Sequence, residues 1–338
     1  VKDEMPFTDD KRLSLGFSYM PYSAVRAAEA AQAAEQAGFD IFGLPDSQVL
    51  WSGLYSTLAL CATRTSTLRM GPHVTNPITR HPTVTAAELR ALEEFAPARI
   101  VLGIATGDGA VYGIGRKAAK ASTLEQAIVA IRESSRPDLR VQVAAGGPRV
   151  AAVAGATGSE VILGTGTSRP AIEQLRSSMR EAARGEPAEP WLLMIFNLSA
   201  EHDMLEAARD EVRASVMAYT RHSLATRPDS TELPADLDRE LREVLGRYDF
   251  HEHARPGDSP NARLAASLSA ELTERLERRY AVIGTPEAAA ERLMEIAEET
   301  GIRRFWLACN VEHPERVLRV AEKMTARLQL RDSGEVRG

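Results

Sequence analysis

The chain has 338 residues, 44% of them hydrophobic and 26% charged, with a formal net charge of −6 at pH 7. With no basic face and a sequence pI near 5.8, it argues against a nucleic-acid partner, and no apolar run approaches the roughly 18 residues of a membrane span. No signal peptide is read ahead of the first strand, and Cys61 and Cys309 each sit in an apolar segment, so they are expected as buried thiols of a cytoplasmic protein.

Apolar strands and helical periods alternate from Leu13 onward. "LSLGFSY" reads as a strand, and "SAVRAAEAAQAAEQAGF" as an Ala-rich helix that Gly38 stops. "DIFGLP" is the second strand, followed by a helix from Leu54 to Ala62. "TLRMGPHV" is the third, with the helix "TVTAAELRALEEFA". "RIVLGIAT" is the fourth, and "TLEQAIVAIRES" is its helix after a long loop. "RVQVAAG" with "PRVAAVAGATG", then "EVILGTG" with "RPAIEQLRSSMREAAR", then the strand "WLLMIFNLS", continue the series. A charged, helical interruption follows at about 201–280. Beyond it "TPEAAAERLMEIAEETG" carries ordinary capping chemistry, with Thr285 as N-cap, Pro286 at the first position and Glu287 in the first turn. "GIRRFWLACN" and "PERVLRVAEKMTARL" supply the eighth pair.

Short apolar strands alternating with helices indicate parallel βαβ units. Eight of them close most naturally into a (β/α)₈ TIM barrel, an α/β fold, here one domain over residues 1–338. An insertion after the C-terminal end of the seventh strand sits over the barrel mouth, where barrel active sites lie. Residues 201–280 are therefore expected as a lid or pocket wall.

Functional side chains of a barrel belong at the C-terminal ends of its strands. "PDSQVLW" after the second strand supplies Asp46, Ser47 and Trp51. "HVTNP" after the third supplies His73, Thr75 and Asn76, and "TGDGAVYGIG" after the fourth supplies Thr106, Asp108 and Tyr112. After the fifth and sixth, Gly146, Gly147 and Pro148, and then Gly164, Thr165 and Gly166, lead into helices. Glycines let backbone N–H groups approach an anion, and a helix N-terminus favours negative charge. Each group also has a plain structural reading. Tight βα turns need glycine anyway, Asp46 is placed to cap a helix, and His73 and Tyr112 read as packing residues. The insertion's loop "YDFHEHARPGD" sets His251, His253 and Arg255 above the mouth, or else simply in water. No Cys lies near these histidines and no HExxH spacing is present, so no metal site is expected.

The carrying stretches are "AEQAGFDIFGLPDSQVLW", "LRMGPHVTNPITRHPTVTAAEL", "RIVLGIATGDGAVYGIG", "VAAGGPRVAAVAGATGSEVILGTG", "YDFHEHARPG" and "VIGTPEAAAERL". Together they resemble the luciferase-like oxidoreductase superfamily, most closely its branch of flavin-dependent oxidoreductases and methylenetetrahydromethanopterin reductases. The resemblance covers nearly the whole chain in the family's order. It implies a barrel that holds coenzyme F420, or alternatively FMN, at its C-terminal mouth. The third strand then ends in a bulge, often with a non-proline cis peptide, that backs the flavin ring; by motif matching this is His73–Val74. Asp46 matches the acidic residue near the ring and is a catalytic candidate, with Thr75, Asn76, Thr106 and Asp108 around the cofactor. Gly146, Gly147 and Pro148, with Gly164, Thr165 and Gly166, match segments that hold the ribityl phosphate.

Two departures stand out. Some deazaflavin-using relatives place a histidine beside the acidic residue, as proton donor or acceptor, where this chain has Ser47. Either the reaction needs no proton transfer or it falls to another group, for which His251 and His253 are the candidates, with Ser47, Trp51, Tyr112 and Arg255 facing the substrate. Relatives also carry a longer segment before the fifth strand, where this chain has only "SSRPDLR". A basic exit for the acidic oligoglutamate tail of F420 is sought in Arg80, Arg116, Lys117 and Lys120.

The expected function is an oxidoreductase moving a hydride between a reduced flavin-type cofactor and a small organic substrate. The alternative is an FMN-dependent monooxygenase activating dioxygen at the flavin C4a. A non-catalytic barrel of the same superfamily is the second alternative, against which the glycines at both phosphate segments argue. The expected partner is a small-molecule substrate, with a homodimer as the allowed assembly, and neither nucleic acid nor membrane.

Overall fold

Each strand anticipated from the apolar runs forms, and all pair in parallel, in the computed structural model, which describes residues 12–225, 231–249 and 259–332. The first half runs β1 (Ser14–Tyr19), α1 (Ala24–Gln36), β2 (Ile41–Leu44), α2 (Leu54–Thr63), β3 (Arg69–Pro72), α3 (Pro82–Phe95), β4 (Val101–Ile104), α4 (Gly109–Tyr112) and α5 (Ala121–Ser134). It continues with β5 (Arg140–Ala145), α6 (Pro148–Ala156), β6 (Glu160–Leu163), α7 (Arg169–Ala182) and β7 (Trp191–Leu198). Then come α8 (Leu205–Ala225), α9 (Ala235–Leu245), α10 (Pro260–Ala266) and α11 (Ala270–Tyr280). The chain ends with β8 (Ala281–Gly284), α12 (Pro286–Thr300), β9 (Arg304–Cys309) and α13 (Pro314–Asp332).

Local chemistry starts and stops these elements. Ser23 caps α1 by accepting from the Arg26 N–H, and the helix buries Ala27, Ala28, Ala30, Ala31 and Ala34. Alanine loses no side-chain entropy in a helix, and its small side chain lets α1 lie close to α2 and α13. α12 is capped as its sequence predicts: Thr285 accepts from the Ala288 N–H, Pro286 opens the first turn, and Gly301 closes it left-handed at φ 65°.

The sheet order is β3-β2-β1-β9-β7-β6-β5-β4, and its two ends meet through the bridges Met70↔Ile100 and Thr75↔Ile104. Eight strands thus make a nearly closed barrel with helices around it. β8 is an addition. Ile195 of β7 pairs with Ala308 of β9 and also with Ala281 of β8. A strand has two edges, so β8 lies on the β6 side of β7, past the end of β6. Its sequence, "AVIG", follows α11 with no turn between, and a four-residue run offers no period to read.

Inside the barrel, Ile41, Val101, Ile162, Trp191 and Trp306 form one cluster. The Trp306 indole takes the room of two absent side chains. A Cβ on Gly16 would lie 2.6 Å from its ring, and one on Gly43 would lie 3.0 Å from it and 2.4 Å from the His73 Cβ. At the N-terminal end, Glu160 accepts from Arg140 at 2.6 Å, Gln142 at 2.7 Å, Trp191 Nε1 at 3.0 Å and Arg304 at 3.2 Å. This network closes the end opposite the mouth.

α8 crosses the mouth itself. Near its start, Asn197 of β7 donates to the Ala208 carbonyl and to Glu211, both at 2.8 Å. Midway, Asn310, just past β9, donates to Ser215 at 3.3 Å. In its last turn, His222 meets Asp108, just past β4, at 3.0 Å. No described helix is long and apolar enough to cross a membrane. Cys61 and Cys309 are buried free thiols, and burial raises both, Cys61 to about 12.

Candidate active site

The ends of β2 and β3 build one wall of the mouth. Leu44 pairs with Pro72, and the His73 N–H donates to the Leu44 carbonyl at 2.7 Å. The next peptide, His73–Val74, is cis, as the resemblance implies. Thr75 then resumes pairing with β4, donating to Gly103 at 3.0 Å and accepting from Ala105 at 2.9 Å. Val74 packs on the interior cluster. His73 points inward and is 7% exposed. Its Nδ1 lies 2.9 Å from Ser18 Oγ, and its ring stacks on Trp306 at 4.0 Å and 27°. Its Nε2 has no hydrogen-bond partner among the described residues. Burial pushes its pKa down to about 3, so the imidazole is neutral near pH 7.

Asp46 is buried, accepts from Thr75 Oγ1 at 2.6 Å, and is ion-paired with Arg80, which lies over the Tyr55 ring at 5.1 Å. Its charge is matched inside the protein. Arg80 is accordingly not part of a basic exit, and that expectation is corrected; Arg116, Lys117 and Lys120 do stand exposed after β4. Ser47 is buried, and its Oγ has no partner among the described residues. Asn76 turns its Oδ1 to the Ile78 and Thr79 N–H groups at 3.0 and 2.9 Å, a side-chain turn that holds the loop.

The adjoining wall comes from β4, β5 and β6. The glycine-rich stretch after β4 is not all loop, because α4 forms within it. Gln48 reaches across from the β2 turn to donate to the Ala110 carbonyl at 2.9 Å. The Thr106 carbonyl accepts from Ala119 at 2.8 Å, while Tyr112 is half exposed at the rim and Trp51 half-buried. Ala145 pairs with Leu163, so the Gly146–Gly147 and Gly164–Gly166 turns leave the barrel side by side. Gly147 is the N-cap of α6 and supplies no side-chain acceptor, with Pro148 following, whereas Ser168 caps α7. Thr165 is buried and donates to the Gly166 carbonyl at 2.9 Å. Gly166 has φ 58°, and an added Cβ would lie 2.4 Å from the Arg279 carbonyl, so packing alone requires glycine there. Beside Gly164 the nearest atom to an added Cβ is His222 Cδ2, at 4.0 Å.

His222 is the residue that sequence reasoning passed over. It sits inside a long helical pattern with nothing local to mark it, and only the path of α8 brings it to Asp108 and Gly164. His251, His253 and Arg255 lie outside the described residues.

The model for the luciferase-like monooxygenase family matches residues 14–126 and 115–304. The 5,10-methylenetetrahydromethanopterin reductase of Methanolobus tindarius is 23% identical over 315 residues, which covers 85% of this chain and 91% of that protein. The solved coenzyme F420-dependent tetrahydromethanopterin reductase from Methanopyrus kandleri has a TM-score of 0.71 at 16% identity, covering 94% of this chain and 99% of its own. The oxygenating constituent of 3,6-diketocamphane monooxygenase from Pseudomonas putida is a type II Baeyer–Villiger monooxygenase solved with FMN. It has a TM-score of 0.65 at 14% identity, covering 94% of this chain and 98% of its own. The chain belongs to the luciferase-like monooxygenase family.

Proposed function

We propose that the chain is an oxidoreductase that takes a reduced flavin-type cofactor, F420 in the first place, at the barrel mouth and directs its hydride to a small organic substrate. The observation that carries this reading is a group of buried polar atoms after β2 and β3 with no hydrogen-bond partner among the described residues, Ser47 Oγ, Trp51 Nε1, His73 Nε2 and Thr79 Oγ1. Buried polar groups are mostly hydrogen-bonded, and the gathering of these atoms at the strand ends supports a site that a ligand completes.

The other residues present fit such a cofactor. Gly146, Gly147 and Pro148, with Gly164, Thr165 and Gly166, would hold the ribityl phosphate, since α6 opens there without a side-chain cap and its dipole favours an anion. His73, Val74, Thr75 and Asn76 would back the ring, with Asp46, Thr106 and Asp108 nearby. When bound, the cofactor supplies the hydride chemistry. The chain's part is to orient both reactants, to exclude water with α8 and the rest of the 201–280 insertion as a wall, and to move a proton. His222, oriented by Asp108, joins His251 and His253 as the histidines to test for that step. Ser47, Trp51, Tyr112 and Arg255 are assigned to the substrate side, and Arg116, Lys117 and Lys120 to the acidic tail.

The likeness to a monooxygenase solved with FMN supports a second reading, in which reduced FMN and dioxygen are used. Rapid mixing separates the two. Reduced F420 is followed without oxygen and reduced FMN in air, each with a panel of small carbonyl compounds. Oxygen-independent oxidation of F420 that requires a carbonyl compound supports the first reading. Oxygen uptake with FMN above the protein-free rate supports the second. Neither reaction, from folded protein, retires both.

A further inference from the structure

After the adjacent strands β2 and β3, Ser47 Oγ, Trp51 Nε1, His73 Nε2 and Thr79 Oγ1 are buried without a partner among the described residues, and of these Ser47 and His73 belong to residues that are themselves buried. Ser47, after β2, is 5% exposed and His73, after β3, is 7% exposed, and neither Ser47 Oγ nor His73 Nε2 has a partner among the described residues. Their strands run in register at Leu44 and Pro72, so both residues follow the ends of neighbouring strands in one sector of the barrel. Leaving a buried polar group unpaired costs about 1–3 kcal/mol. Asp46, Thr75 and Asn76 beside them are all satisfied.

His73 is also held in place. Its Nδ1 is engaged by Ser18 at 2.9 Å, its ring lies 4.0 Å from Trp306, and Gly43 presses its backbone close to the His73 Cβ. Burial keeps the imidazole uncharged, and the nearby Asp46 carboxylate is matched by Arg80. When Ser18 donates to Nδ1, the ring proton sits on Nε2. The result is a rigid, neutral donor with no acceptor among the described residues. A neutral imidazole of this kind polarises a carbonyl without presenting a charge.

We propose that His73 Nε2–H and Ser47 Oγ form a recognition site for an uncharged carbonyl oxygen, with Ser18 as the positioning residue that sets the imidazole tautomer. This deepens the functional reading above and rests on it for the ligand. That ligand is either the carbonyl edge of the cofactor ring or a neutral aldehyde or ketone substrate. A carboxylate is disfavoured, because neutral donors return too little for the desolvation of a charge.

The test watches the histidine itself. Protein carrying isotope-labelled histidine is observed by long-range proton–nitrogen correlation, with His73→Gln assigning the resonance. One neutral tautomer protonated on Nε2 is expected, unchanged between about pH 5 and about pH 8. F420 and FMN are titrated separately, with their binding followed by absorbance. Acetone and cyclohexanone are then added, with pyruvate as the charged control, and the ketones are also titrated alone. A shift of Nε2–H with cofactor alone identifies the ring as the source, and a shift only with the ketones identifies the substrate. Ser18→Ala is expected to mix the tautomers and to weaken that ligand about five- to tenfold in protein that still melts cooperatively, and Ser47→Ala to weaken it similarly with its melting temperature preserved. If neither cofactor binds, the functional reading fails, while the ketone arm still decides the fate of His73. A silent His73 in every arm, a proton resident on Nδ1, or a response to pyruvate equal to that of the ketones overturns the proposal.

Discussion

His73 couples the chemistry of the mouth to the acid stability of the fold. Its folded pKa of about 3 lies below its ordinary value of 6.5, so the folded state binds fewer protons than the unfolded one. The stability this group contributes is complete above about pH 6.5 and is lost as pH falls toward the folded pKa, at up to about 1.4 kcal/mol per pH unit. Urea unfolding at intervals from about pH 4.5 to about pH 7.5 should show a steeper acid loss in the wild type than in His73→Gln. Equal slopes would contradict a buried neutral imidazole. Asp46 makes a different demand. Asp46→Ala strands Arg80, whose side chain is 23% exposed, and removes the acceptor of Thr75. Chemical denaturation should show a loss of about 3 kcal/mol, with less for Asp46→Asn, which keeps an acceptor for Thr75. Strand-end position alone was enough to single out Asp46, Ser47, His73 and Thr75 in the sequence. What each would touch was hidden, because the partners are remote: Arg80 stands 34 residues from Asp46, and His222 stands 114 residues from Asp108.

Among elements, the strands of the barrel were legible because their apolar runs alternate with helices of clear period. β8 and α4 were not, since four residues hold barely one helical turn and only two strand repeats. The inward faces were harder still. "SLGF" and "IFGL" look like ordinary strands, and only the Trp306 indole explains their glycines. Gly43→Ala is expected to cost about 1–3 kcal/mol by overpacking and to weaken cofactor binding, since its Cβ would displace His73. Gly185→Ala, with open space around it, should stay within about 0.5 kcal/mol, and thermal melts of the two variants side by side make the comparison. At the other end of the barrel lie Arg140 and Gln142 of β5, Glu160 of β6 and Arg304 of β9. In the fold they share one carboxylate that is only 12% exposed. Glu160→Ala leaves two guanidinium groups and the Trp191 N–H without that acceptor, and a loss of about 3 kcal/mol is expected by urea unfolding.

At the scale of the whole molecule, the barrel delivers two unlike walls to one mouth. β2 and β3 bring the neutral floor of His73 and Ser47, and β5 and β6 bring the glycine turns and the uncapped N-terminus of α6. α8 lies across both, tied to β7, β9 and the β4 loop. In the proposed reading a flavin-type cofactor would join these features, with its ring on the first wall and its phosphate on the second, and its binding is the claim on which that reading stands. The direct measurement is an equilibrium titration of the ligand-free protein with F420 and with FMN, read by absorbance, in the wild type and in Gly147→Val. Gly147 has an extended backbone, φ −150° and ψ 168°, which valine also adopts, so the variant should fold with an unchanged melting temperature. Saturable binding of F420 by the wild type is expected, weakened at least about tenfold in the folded variant, because the added side chain crowds the anion at the helix N-terminus. Binding of neither cofactor by the folded wild type, or equal affinity in wild type and variant, would contradict it.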